Sequence, residues 1–318
     1  MEFFKRKTAL AATIGFFTAA TALTAPSVQA TGPDIIYATD QRGSLEIWTM
    51  AMDGSCKTAL TDHTAVPRRE YWPSPSPDGR KIAFTTYRFG GWKLGLLDSS
   101  KVSRLTDFGR HRGRLYEASP SWSPDGRLVV FLQYHHRSGL HIMDMEAGSS
   151  RQLRTEHRYY DFLFPTFTPD SKSILYAERS SGRYDIVKTD VTTGETQKLT
   201  DDSFDQLAPS LSPNGKKLAF FSNEDGHHQL YVTNINGSGT RQLTSSDDHI
   251  RKYDIENDRS WYISTPVWSE DGTAVLHSAS YDGNIDLYLT PINGAAPKRL
   301  TTQPGLDVHP RWIARNRD

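Results

Sequence analysis

Beyond residue 30, apolar and polar positions recur with a long period. A unit of the form Pro-x-aromatic-Ser-Pro-Asp-Gly, followed by a short apolar run, starts at Pro73 (PSPSPDGRKIAF), Pro120 (PSWSPDGRLVVF), Pro165 (PTFTPDSKSILY), Pro209 (PSLSPNGKKLAF) and Pro266 (PVWSEDGTAVLH). A truncated copy starts at Pro310 (PRWIARNRD). The starts are 47, 45, 44, 57 and 44 residues apart, a period that fits propeller blades rather than helical solenoids. Ser-Pro-Asp-Gly suits a type I turn, with Pro fixing φ at the second position and Gly at the fourth. A strand on each side is therefore expected, the second rich in β-branched and aromatic residues.

A third strand with one buried face follows in each unit, read from the alternation in LEIWTM (45–50), LHIMDM (140–145), HQLYVT (228–233) and IDLYLT (285–290). A fourth, short strand ends near a Leu-Thr-like signature at Leu60, Leu105, Leu153, Leu199, Leu243 and Leu300. No apolar 3.6-residue period stands out after residue 30, so the expected class is all-β. The N-terminal segment supplies IIYAT (35–39), LEIWTM and KTALT (57–61) without a leading Pro-x-Trp strand, and the C-terminus supplies PRWI (310–313) with nothing after it. The ends complete one another, which predicts a six-bladed β-propeller of four-stranded antiparallel blades with no open sheet edge. The spacing of 57 marks an insertion at about 247–262, a loop of the kind that often carries function.

Residues 1–30 read as a secretory signal peptide: Lys5, Arg6 and Lys7 precede a weakly apolar run, and Val28-Gln29-Ala30 offers a small-residue cleavage site. Residues 31–318 are then one propeller domain, with no later apolar stretch long enough to span a membrane. With 37 Lys+Arg against 37 Asp+Glu the chain has no net charge, and so lacks the field that non-specific nucleic-acid binding requires. Cys56 is the only cysteine; no internal disulfide is available, and a partly buried structural thiol is expected there.

The repeated PSWSPDGRLVVF, the Gly-containing loop, LHIMDM and the trailing Gln-Leu resemble the TolB-type propeller repeat of bacterial periplasmic proteins, over about residues 34–313. Ser171, Asn214 and Glu270 depart from the usual Gly, Asp and Pro but remain compatible with the turn. The resemblance implies a TolB-type fold and a periplasmic setting. It also implies a channel entrance that docks a protein, which in that family is a peptidoglycan-associated lipoprotein. Full-length TolB proteins carry an α/β domain ahead of the propeller, whereas here the repeats follow the leader at once.

The loops entering the innermost strands carry a carboxylate three or four places before the repeat Pro in five of six units: Glu70, Glu117, Asp161, Asp205 and Asp307, with His309 beside the last. Such a ring would favour a cation, a basic side chain or an amine, with mutual repulsion raising some pKa values; the same residues could equally cap loop amides or pair with Arg. The loops between second and third strands add Asp40, Arg42, Tyr87, Arg88, Trp92, His135, His136, Arg137, Arg183, Tyr184, His227, His228 and Tyr281. Aromatic and Arg side chains of this kind anchor interfaces. The His135–His136 and His227–His228 pairs invite a divalent metal, but neighbours on a strand face opposite ways and no metal motif accompanies them, so no cofactor is predicted. Asp78, Asp125, Asp170 and Asp271 are expected to be turn residues on the other face, and Asn236-Gly237 a turn.

The expectation is an exported, periplasmic or secreted binding or scaffold protein that takes a protein or cell-envelope component at the channel face. Its candidate residues are Glu70, Glu117, Asp161, Asp205, Asp307, His309, Arg88, Trp92, His135, Arg137, Tyr184 and His228. No G-x-S-x-G nucleophile elbow is present. The alternative is a carbohydrate-active enzyme, resembling oligogalacturonate lyase or a hydrolase, with its site at the channel mouth.

Overall fold

The structure is a computed structural model and describes residues 34–61, 69–106, 116–134, 138–155, 161–201, 203–245, 264–280 and 284–314. Residues 1–30, read above as a signal peptide, the whole 247–262 insertion, His135, His136, Arg137 and Tyr281 lie outside the described residues.

Six four-stranded antiparallel sheets form a ring. One combines β1 (Asp34–Thr39), β2 (Glu46–Met50) and β3 (Thr58–Ala59) with the C-terminal β24 (Asp307–Ile313), in the order β24-β1-β2-β3. The second contains β4 (Glu70–Pro75), β5 (Lys81–Thr86), β6 (Lys93–Asp98) and β7 (Lys101–Arg104); the third, β8 (Tyr116–Trp122), β9 (Leu128–Tyr134), β10 (Gly139–Asp144) and β11 (Ser149–Thr155). The fourth contains β12 (Phe162–Phe167), β13 (Ser173–Ser180), β14 (Arg183–Asp190) and β15 (Thr196–Lys198); the fifth, β16 (Gln206–Leu211), β17 (Lys217–Ser222), β18 (Gln229–Asn234) and β19 (Arg241–Gln242). The sixth contains β20 (Val267–Trp268), β21 (Ala274–Ser280), β22 (Ile285–Pro291) and β23 (Lys298–Arg299). The described residues include no helix. The innermost strands touch in a closed cycle, β24-β4-β8-β12-β16-β20 and back to β24, and so surround the channel.

Each blade's defining turn is built as its chemistry requires. In the second blade Ser76 Oγ donates to Asp78 Oδ1 at 2.6 Å, the Arg80 N–H donates to the same oxygen at 3.1 Å, and the Lys81 N–H donates to Ser76 Oγ at 3.0 Å. The pattern recurs at Ser123/Asp125, Thr168/Asp170, Ser212/Asn214 and Ser269/Asp271. Accepting these bonds stabilises the ionised form, so Asp78, Asp125, Asp170 and Asp271 sit below the ordinary carboxylate pKa, with the Ser or Thr hydroxyl as the main cause.

The inner strands are not regular. Trp72, Ser119, Phe164, Ala208 and His309, each just before the repeat proline, have φ of 50°, 52°, 54°, 53° and 56°. Each coincides with a register shift against the neighbouring strand. An inserted residue of this kind is a β-bulge, which bends the strand and re-aims its side chains. Left-handed backbone at a non-glycine residue costs about 1–2 kcal/mol, so packing of the ring must offset that cost five times over.

Alternate residues of the second strands face opposite neighbouring blades. Ile35 and Tyr37 of β1 join Leu276 and Leu287 of the sixth blade, whereas Ile36 joins Ile82 and Phe84 of the second. Equivalent interfaces form between the second and third blades around Phe131 and Trp122, and between the fourth and fifth around Leu175 and Phe220. Each blade is thus apolar on both faces, which accounts for near-continuous apolar runs such as LVVFL. Cys56 departs from expectation: it is exposed, in a left-handed turn with φ 55°, because β3 is an outer strand that no blade covers.

Candidate functional site

The channel face on which the inner strands begin gathers the carboxylates singled out in the sequence, and hydrogen bonding has already engaged most of them. Glu70 is fully buried; Arg88 Nε donates to its Oε1 at 2.6 Å and Thr86 Oγ1 lies 3.4 Å from the same atom. Glu117, also fully buried, accepts on Oε2 from the Leu94 N–H at 3.1 Å and from the Thr106 hydroxyl. Leu94 and Thr106 belong to the second blade, so Glu117 ties the third blade to it, as does the Glu117 N–H donating to the Trp92 carbonyl at 3.1 Å. Asp205 accepts from the Tyr184 N–H of the fourth blade at 3.0 Å on Oδ1 and from Asn223 Nδ2 at 3.1 Å on Oδ2. Asp161 is half-buried, and its carbonyl accepts from the Arg179 N–H at 2.7 Å.

Asp307 is 1% exposed, and neither of its oxygens accepts a well-aligned hydrogen bond among the described residues. Burial raises its pKa, opposed by the hydroxyls of Thr39 and Thr301 and by Lys57. Burial likewise raises Glu117. Desolvation is therefore the cause of both shifts; mutual repulsion enters only as a minor push of Asp286 on Asp307. His228 is buried too, and burial holds its pKa below the ordinary value despite nearby Asp205.

His309 sits at the channel wall with its ring 5.0 Å from that of Trp72, and the backbone N–H of Trp72 donates to His309 Nδ1 at 3.4 Å. The Tyr71 ring lies 5.9 Å from His309 and 5.3 Å from Trp92, and Trp92 meets Tyr87 edge-on at 5.4 Å. An aromatic path thus leads from Tyr87 on the rim, 52% exposed, to the channel. Tyr71 and Trp72 had no place among the sequence candidates; the adjacent Tyr-Trp-Pro was the available signal.

The two charged-aromatic loop pairs split as period-2 strands require. Arg183 and His227 are exposed while Tyr184 and His228 are buried. Arg42 is exposed, with its guanidinium 4.9 Å over the Trp48 ring. No group of three or more His, Cys, Asp or Glu among the described residues could hold a metal ion.

A family profile described as the TolB beta propeller domain matches residues 73–254, more than half of the chain. The chain belongs to the TolB beta propeller domain family. It is 27% identical over 168 residues to a Protein TolB homolog of Chlorobium luteolum, an alignment covering 52% of this chain and 36% of that protein. The chain thus spans about a third of the length of this TolB-family relative. The TolB structure from Acinetobacter baumannii superposes with a TM-score of 0.72 at 20% identity, covering 88% of this chain and 66% of that one. A putative TolB from Agrobacterium tumefaciens superposes with a TM-score of 0.64 at 17% identity, covering 89% and 98%. At these identities the structural likeness is one of fold.

Proposed function

We propose that this TolB-family propeller is an exported, non-catalytic binding protein that engages a protein or cell-envelope component through the face on which its inner strands begin. The observation that carries the reading is the division of roles on that face. The buried carboxylates act as acceptors that join loops and blades, while Arg42, Tyr87, Arg183 and His227 remain exposed around them. Exposed aromatic and cationic side chains on a rigid ring suit an interface anchored by area and charge. The leader at 1–30 supports export to the periplasm or beyond, with Thr31 as the first mature residue.

The test is capture from a cell-envelope extract on immobilised residues 31–318, run beside a variant combining Tyr87→Ala, Arg183→Ala and His227→Ala. The proposal expects a specific partner that the folded variant no longer retains. Retention of every captured partner by the variant would move the binding face elsewhere. The exposed rim residues are the right targets, because removing Glu117 or Asp205 would disturb contacts between blades.

A further inference from the structure

The opposite end of the channel holds a cavity with a different lining. A cavity of about 660 Å³ opens on the face of the Ser-Pro-Asp-Gly turns and takes wall residues from all six blades. The residue after each repeat proline is Ser74, Ser121, Thr166, Ser210, Val267 or Arg311, and all six line it. Four hydroxyls, one apolar side chain and one guanidinium therefore occupy equivalent positions around one ring. The bulge residues Trp72, Phe164 and His309, two places back along their strands, are buried.

Arg311 is held in place from one side. Its Nη1 donates to the Thr265 carbonyl at 3.1 Å and to the Pro310 carbonyl at 2.9 Å. The second acceptor is the carbonyl of its own neighbour in the strand. Both Nη1 hydrogens are thus engaged, which leaves the Nε and Nη2 edge, the fork that matches a carboxylate with two parallel hydrogen bonds. No carboxylate among the described residues lies within ion-pair distance of Arg311, although Glu270 stands exposed on the cavity wall. Enclosure by protein lowers the guanidinium pKa to about 10, so it stays charged at neutral pH.

The rest of the wall is better supplied with donors than with anions. Ser74 Oγ accepts from the backbone N–H of Trp122 at 3.0 Å, which leaves its own hydrogen to donate. The indole N–H groups of Trp122 and Trp312 are themselves buried and offer nothing to a ligand, and that of Trp268 donates to the Ser210 carbonyl at 3.0 Å. Trp122, Phe167, Trp312 and the prolines give the cavity apolar surface, and its volume is in the range of small-molecule sites.

We propose that this turn-face cavity binds a small organic monocarboxylate, its carboxylate forked by Arg311 and its apolar body against Trp122, Phe167 and Trp312. A single guanidinium neutralises one negative charge. A doubly charged phosphate would remain undercompensated beside Glu270, so the carboxylate is the better match. This site is independent of the rim on the other face.

The test uses the mature chain with benzoate, benzamide and inorganic phosphate as probes, followed by calorimetry and tryptophan fluorescence. Benzoate should bind saturably with a Kd on the order of 1 mM, more weakly as salt rises, and more tightly than phosphate or benzamide. Arg311→Gln should weaken benzoate by about tenfold or more, as loss of a charge-assisted pair requires. Should that variant not fold, Glu270→Lys, an exposed wall position, should tighten benzoate several-fold. Absence of saturable benzoate binding, benzamide or phosphate binding as well as benzoate, an Arg311→Gln variant that keeps its affinity, or a Glu270→Lys variant that binds no tighter would each overturn the proposal.

Discussion

Replacing Glu117 separates a structural pin from a ligand-binding charge. Glu117→Ala deletes the acceptor shared by the Leu94 N–H and the Thr106 hydroxyl at a fully buried position. Each orphaned donor costs about 1–3 kcal/mol, and removal of the costly buried charge returns part of the total, for a net loss of about 3 kcal/mol. Glu117→Gln retains an acceptor oxygen of the same reach and removes the charge, so its stability should lie within about 1 kcal/mol of the wild type. With a urea m-value of about 3 kcal/mol/M, the Ala variant should unfold about 1 M earlier and the Gln variant within about 0.3 M of wild type. Equilibrium unfolding followed by tryptophan fluorescence, with m checked for constancy, gives both numbers. An Ala variant as stable as the wild type, or a Gln variant as damaged as the Ala variant, would refute the pin: the first because no acceptor is missed, the second because charge would be the essential property.

The buried, hydrogen-bond-poor Asp307 sets a pH dependence: its pKa is raised, so the folded state holds this proton more tightly than the unfolded chain, and stability falls as pH rises through the raised value. Asp307→Asn should therefore be more stable than wild type at pH 7, the gap closing toward about pH 4; a gap constant with pH in urea titrations would contradict this. Below that range the lowered pKa values of Asp78, Asp125, Asp170 and Asp271 mean that stability is lost as pH falls through them, so replacing all four by Asn should flatten the acid limb of the unfolding curve. Deleting residues 307–318 removes β24 and leaves β1 as an open edge; the truncated chain should aggregate on size-exclusion chromatography, and a cooperative monomer would refute closure by strand exchange. Gly79→Ala forces a Cβ into the Ala314 carbonyl at a residue with φ +69°, and a thermal midpoint unchanged from wild type would show that this contact between the second-blade turn and the C-terminal segment is slack.

The ring was legible because its signals are local. Ser-Pro-Asp-Gly encodes its own hydrogen bonds within five residues, and the unmatched PRWI at one end and IIYAT at the other announce the shared blade. The bulges were not legible. Trp72, Ser119, Phe164, Ala208 and His309 have nothing in common but a following proline, and none is the glycine that usually marks positive φ. The carboxylates of the site were found by position, but their role was hidden because their partners are distant in sequence. Thr106, which reads as the end of a strand, is a donor to Glu117, and its counterparts Thr61, Thr200, Thr244 and Thr301 accept backbone N–H groups of the third strands, Thr244 and Thr301 also donating to Gln229 and Asp286. Of the pairs Arg183–Tyr184 and His227–His228, alternation says that one member faces outward, but only the register against the next blade decides which. Arg311 was passed over because one arginine in a truncated repeat becomes notable only when five other blades place hydroxyls and Val267 beside it.

The central claim is that binding uses the rim where the inner strands begin. Hydrogen exchange of residues 31–318, with and without the partner recovered by capture, tests it most directly. The account predicts partner-dependent protection at residues 40–45, 87–92, 181–184 and 223–228, with the turns at 76–79, 123–126 and 212–215 unchanged. Protection confined to those turns, or to the 247–262 insertion, would contradict it.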